Sequence, residues 1–132
     1  MTTFILAKQR RLARQDIDSH AAQARQRYLT TLPGQDLVYA AKLAQAQAYI
    51  TAYAADSGAA VPAYVAADVA AVGGTALAAA AAIVAAAEAF HAGPGPEIEE
   101  ARRAGKLAVQ AAESANDIET AQAAALAALQ AI

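Results

Sequence analysis

The spacing of apolar side chains divides this chain into helical stretches. Ile17, Ala21, Ala24 and Tyr28 recur at intervals of 4, 3 and 4, which places them on one face of a helix. Extended toward the N-terminus, the same stripe meets Arg14 and Arg10, so the apolar seam fades there. A second stripe, Tyr39, Leu43, Ala46, Ile50 and Tyr53, has the spacing of a coiled-coil seam. Pro33-Gly34 lies between the two, and the connection is only a few residues long. Short connections fold helices back on themselves, so the pattern predicts an antiparallel helical hairpin over about 8–31 and 35–56.

Beyond Asp56-Ser57-Gly58 the stretches shorten. Pro62 suits the first turn of a helix over 62–72, which Gly73-Gly74 closes. Thr75 can cap the next helix, whose Ala76, Ala80, Ile83, Ala87 and Phe90 share a face. After Gly93-Pro94-Gly95-Pro96, another helix is predicted from Pro96, with Glu97, Glu99 and Glu100 at its positive dipole end. Arg102 and Arg103 are in pairing range of Glu99. Asn116 with Glu119 resembles a reduced capping box for a final helix from Ile118. Gly105 interrupts the fifth helix, either because another backbone comes close or as a tolerated glycine. No period-two alternation is sustained, so no strand is predicted. The fold class expected is all-α: a single domain over 1–132, with the 8–56 hairpin, alanine-rich helices over 62–91 and C-terminal helices over 96–132 forming an elongated bundle.

Composition changes the picture of what holds this together. About one residue in three is alanine. Alanine favours helix but contributes only about 0.8 kcal/mol per buried methyl, against roughly 1.5–3 kcal/mol for a Leu or Ile side chain. A lone monomer so built is marginal, and a homo-oligomer or a larger assembly is expected. Net charge is −2, but the distribution is uneven. Residues 1–35 hold Lys8, Arg10, Arg11, Arg14, Arg25 and Arg27 against Asp16 and Asp18, and acidic residues cluster later. The basic first helix is either a solvated face or a surface that docks on acidic groups, in this chain or another.

Chemistry-bearing constellations are sparse. His20 has Asp16 four residues before it and no third ligand nearby, which reads as an ion pair. His91 suits the C-terminal dipole of its helix. Asp16 and Asp18 point in different directions on a helix, and Ser19, Ser57 and Ser114 lack an activating context. Gly73-Gly74-Thr75 has neither the preceding strand nor the lysine of a phosphate cradle. Cysteine is absent, which excludes thiolate chemistry and disulfides. No catalytic, cofactor-binding or metal residue is therefore assigned, and no enzyme is expected. The basic residues form no broad patch, so no nucleic-acid partner is expected. The opening Met-Thr-Thr-Phe-Ile-Leu-Ala lacks the order of a signal peptide. Val69 to Ala87 is uncharged but broken at Gly73-Gly74 and poor in Leu, Ile and Phe, so no membrane span is expected.

A set of ordered pieces adds a functional lead: Ile17-Asp18, Ala24-Arg25-x-Arg27-Tyr28-x-Thr30, Pro33-Gly34-Gln35, Tyr39, Lys42, Ala46-x-Ala48-Tyr49, Gly74-Thr75, Ile83, Phe90 and Ile98-Glu99-x-Ala101-Arg102-Arg103-Ala104-x-Lys106. This order resembles small alanine-rich helical proteins of bacteriophage and prophage tail modules, over about residues 10–112. The family pattern has a tryptophan near position 90, where this chain has Phe90-His91. The resemblance implies a virion tail or tail-fibre component, found in the virion or in the host cytoplasm during assembly, with other tail proteins as partners. Its alternative is a tail-fibre assembly chaperone or adaptor not retained in the particle. In that reading the hairpin is the contact element. Candidate interface residues are Arg10, Arg14, Tyr28, Tyr39, Tyr49 and Tyr53, aromatic side chains being common interface anchors. By their spacing the tyrosines fit the protein's own core equally well.

Overall fold

The computed structural model describes residues 3–30 and 34–132, so the Thr31–Pro33 part of the expected turn lies outside the described residues. Six helices follow in order: α1 (Thr3–Gln26), α2 (Gln35–Ala55), α3 (Ala63–Val72), α4 (Ala76–Ala92), α5 (Pro94–Ala111) and α6 (Ala115–Ala131). The fold is all-α. Where the sequence suggests one domain, the described residues gather into two compact units, Met1–Thr30 with Ala92–Ile132, and Thr31–His91.

The first unit is a three-helix bundle of α1, α5 and α6. Its core joins Ala13, Ile17, Ala21 and Ala24 of α1 to Ile98 and Val109 of α5 and to Ile118, Ala125 and Leu129 of α6. Ile17, Ala21 and Ala24 of the stripe read from α1 are thus buried, while Tyr28 lies beyond the helix end and is exposed, and the partners of the stripe are the last two helices. Asp18 meets Lys106, and Arg25 meets Glu99, so α1 runs antiparallel to α5. Gln9 bonds Ala115 and Asp16 bonds Gln122, so α1 runs parallel to α6. A Cβ placed on Gly105 would lie 2.5 Å from the Ala125 Cβ, so the alternative of a merely tolerated glycine is set aside. The missing side chain lets α5 approach α6 that closely.

The second unit contains α2, α3 and α4. Ala46 and Tyr49 of α2, Val65 of α3 and Ala80 of α4 are its buried residues, flanked by half-buried Ile50, Tyr53, Leu77, Ile83 and Val84. Lys42 pairs with Asp68 at 3.0 Å, and the Gln45 side chain accepts from the Tyr64 amide at 2.9 Å, so α3 runs antiparallel to α2. Pro62 precedes α3 without a side chain able to cap it, and Gln45 supplies that acceptor from the neighbouring helix.

The two arms of the expected hairpin, 8–31 and 35–56, fall in different units. The seam of each arm is covered within its own unit, by α5 and α6 for α1 and by α3 and α4 for α2. Short-loop reasoning selected the neighbour in sequence, whereas Gly105 and the ionic partners of α1 lie far along the chain. Helix ends also shift. α1 stops at Gln26, and the turn beyond it tightens through the Tyr28 amide bonding Arg25 at 3.0 Å. α5 begins at Pro94, two residues before the expected Pro96. α6 is capped by Ser114, whose hydroxyl accepts from the Asp117 amide at 3.1 Å, and not by Asn116. Thr75 caps α4 as expected, accepting from the Ala78 amide at 3.2 Å.

Candidate interaction surface

The basic residues of α1 fall into two groups. Arg10 donates through both Nε and Nη2 to the Ala112 carbonyl, at 3.1 and 2.6 Å. Ala112 is the C-cap of α5. Carbonyls there lack intrahelical partners and sit at the negative end of the helix dipole, so a guanidinium is favoured on both counts. Arg14 donates to the Gln110 side chain one turn earlier. At the opposite end of the bundle, Arg27 donates to the Leu129 carbonyl at 2.6 Å, and the Tyr28 hydroxyl to the Ile132 carbonyl at 2.5 Å. The first helix and the turn after it thus close the C-terminal ends of α5 and α6.

An ionic cluster joins the middle of the bundle. Asp18 accepts from Lys106 at 2.8 Å and from Arg102 at 3.1 Å, and Arg102 also holds Glu99 at 2.7 Å. Arg25 reaches Glu99 at 3.4 Å. The Lys106 hydrogen bond, outweighing desolvation and joined by Arg102, holds the Asp18 carboxyl below the ordinary carboxylate range. Glu99 is lowered likewise, chiefly by its hydrogen bond from Arg102. Arg102 is in turn raised by its bonds to Glu99 and Asp18. These side chains are partly exposed, so solvent screens the pairs and each contributes little to stability. His20 stands apart, its Nδ1 2.9 Å from the Asp16 carbonyl and 3.3 Å from the Asp16 carboxylate.

The six candidate interface residues divide between the two units, three in each. Arg10, Arg14 and Tyr28 bind the protein's own C-terminal helices, although Tyr28 keeps an exposed ring. Tyr49 is buried in the second unit, its ring centroid 5.9 Å from that of half-buried Tyr53. Tyr39 is half-buried in the same helix. The basic helix thus docks within this chain, on helix-end carbonyls more than on carboxylates.

What remains exposed is different in each unit. Thr31–His91 holds as charged residues only Asp36, Lys42, Asp56, Asp68 and Glu88, although the chain has 10 basic and 12 acidic side chains. Its outer surface carries Leu37, Val61 and Val72 among many alanines. The other unit is rich in charge, and its exposed large apolar residues include Phe4, Leu12 and Leu107. Phe4 and Leu12 lie off the α1 stripe, a displacement already legible in their spacing from Ile17. Nothing local, by contrast, marks Asp18 as the partner of Lys106. Among the described residues no group of three His, Cys, Asp or Glu side chains could hold a metal ion. The helical stretch Ala76–Ala111 is long and apolar enough, by length and composition alone, to cross a membrane. Compared with known proteins, the chain matches no protein-family model, no curated protein and no solved structure.

Proposed function

We propose that this protein is a structural component of a bacteriophage tail that works by packing its helices against neighbouring subunits and not by catalysis. The observation that carries the reading is the poverty of charge in Thr31–His91. Roughly one residue in twelve there is charged, against about a quarter of the residues in a typical soluble domain. Exposed Leu37, Val61 and Val72 add to that surface. A surface of this kind is stabilised by being covered, and alanine-faced helices let a neighbouring backbone come close. Tyr39 and Tyr53, half-buried on α2, are the side chains of this unit best placed to anchor such a neighbour. The resemblance of the ordered motifs to tail-module proteins supplies the assembly. Alanine inserts weakly into lipid, so α4 is read as a protein-packing helix.

The test is the composition of purified phage particles carrying this gene. Quantitative mass spectrometry is expected to find the chain in stoichiometric ratio with tail proteins, and the membrane fraction of producing cells is expected to lack it. Tails that form only when the gene is present, yet contain no copy of its product, would replace this reading with that of an assembly chaperone or adaptor. Recovery in the membrane fraction would overturn both.

A further inference from the structure

The bundle gathers cations that the sequence holds far apart. On α1, Arg11 is exposed, with Arg10 beside it and Arg14 one turn on. Arg25 stands three turns beyond Arg14 on the same side of the helix, where it reaches Glu99. To these α5 adds Arg102 and Lys106, both bonded to Asp18 of α1, and exposed Arg103 one turn before Lys106. Seven of the chain's 10 basic side chains thus border the α1–α5 seam. Two carboxylates, Asp18 and Glu99, stand among them, which leaves an excess of five positive charges. With the margins counted, Lys8 against Glu100 and Glu113, the excess is still four. Much of this charge is uncompensated. Arg10 and Arg14 bond a carbonyl and a side-chain amide, which are uncharged, and Arg11 and Arg103 make no hydrogen bond or ion pair among the described residues. The whole chain carries −2, but charges more than about 8 Å apart are largely screened at physiological ionic strength, so the local excess governs what docks here.

From this face we infer that the protein binds the backbone of duplex DNA along the α1–α5 seam, without regard to sequence. Six of the seven cations are arginines, whose planar forks match phosphate oxygens in pairs. From Arg10 to Arg25 the row runs about 22 Å along α1, the rise of about six phosphates of one DNA strand. A protein partner is held by apolar or aromatic anchors at the centre of its interface. Between these cations lie Ala22 and Gln110, and no large apolar side chain among the described residues. Phe4 precedes Arg10 by about 9 Å of helix, and Leu107 lies on the outward side of α5. Nor does an aromatic ring lie among the cations to stack unpaired bases, the means by which single strands are held, so the face suits a duplex. Phosphate contacts position a duplex but read no bases, hence the indifference to sequence. Along the chain these residues fall in two segments more than 70 positions apart, and only the antiparallel pairing of α1 with α5 joins them. The inference stands on the bundle surface and does not require the tail assignment.

The test is fluorescence anisotropy of a labelled DNA duplex of about 20 base pairs, titrated with the full chain in about 50 mM salt. Duplexes of unrelated sequence are expected to bind alike. Log affinity should fall against log salt with a slope of about −3 to −4, as for phosphate contacts from Arg10, Arg11, Arg14 and Arg103. Arg11→Gln combined with Arg103→Gln is expected to weaken binding about tenfold or more and to reduce the slope by about two. Thr120→Glu combined with Ala127→Glu makes the same change in net charge on exposed positions of α6 and is expected to bind as the wild type does. Circular dichroism checks that both double variants fold. A wild type with no affinity for the duplex, a seam variant that binds unchanged, or an α6 variant weakened equally would each overturn the inference. Tighter binding to the single strand would overturn it as well, and displacement of the duplex by an equal charge of polyglutamate would reassign the face to an acidic protein. Particle composition is unaffected by these outcomes, so the inference and the tail reading fail separately.

Discussion

Gly105→Ala tests the closest helix contact in the bundle. The added Cβ would lie 2.5 Å from the Ala125 Cβ, where real carbon contacts are nearer 3.5–4 Å. The obstacle is a methyl fixed to the α6 backbone and not the tip of a flexible side chain, so α5 and α6 must move apart by about 1 Å. Overpacking of this kind typically costs about 1–3 kcal/mol, and alanine returns about 1 kcal/mol in helix propensity. The net expectation is a loss of up to about 2 kcal/mol. Ala125→Gly alone gives up a buried methyl and the same propensity, about 2 kcal/mol together. In the double variant the methyl moves from α6 to α5. The next nearest atoms to the new Cβ are the Ile17 Cδ1 at 3.4 Å and the Ala125 Cα at 3.7 Å, both tolerable. The double variant should therefore approach wild-type stability, with a coupling of about 3 kcal/mol between the sites. Urea unfolding of the four proteins, followed by far-ultraviolet circular dichroism, measures it. A Gly105→Ala protein at least as stable as the wild type would refute the reasoning.

Further expectations concern the rest of the bundle. Ile118→Ala empties a fully buried site and should cost about 2–4 kcal/mol, whereas Leu107→Ala, on the outer face, should change monomer stability by less than about 0.5 kcal/mol in the same assay. Asp18 has a folded-state carboxyl held low, so its contribution is complete above its ordinary pKa near 4 and is lost as pH falls through the lowered value. Stability curves of Asp18→Asn and wild type should therefore be separated at neutral pH and converge in acid; a constant gap would sink that assignment. Arg10→Ala should lose about 1 kcal/mol by leaving the Ala112 carbonyl without its donor, a loss that added salt reduces only in part.

Local periodicity carried most of the helices. The stripes Ala76–Phe90 and Tyr39–Tyr53 are the faces that α4 and α2 turn inward, because burial selects one side of a helix wherever its partner comes from. Thr75 was legible for the same reason, since a cap acts within one turn. The pairing of helices was not legible. α1 finds its partners through Gly105, Lys106 and two helix-end carbonyls, and no spacing within α1 points to any of them. Arg10 and Arg14 looked like the fading end of a seam, yet they are the donors that close α5. Of the candidate interface set, Tyr49 followed its spacing into the core.

The bundle is built from an early and a late segment with a whole compact unit between them, and this sets an order of events during synthesis. α1 leaves the ribosome with its apolar stripe ready, but α5 and α6 follow only after the intervening helices. At typical elongation speeds that wait is on the order of ten seconds. Through that interval Ile17 and its neighbours have no cover of their own, so a holding factor, or an α5–α6 pair from a finished copy, could reach the nascent helix first.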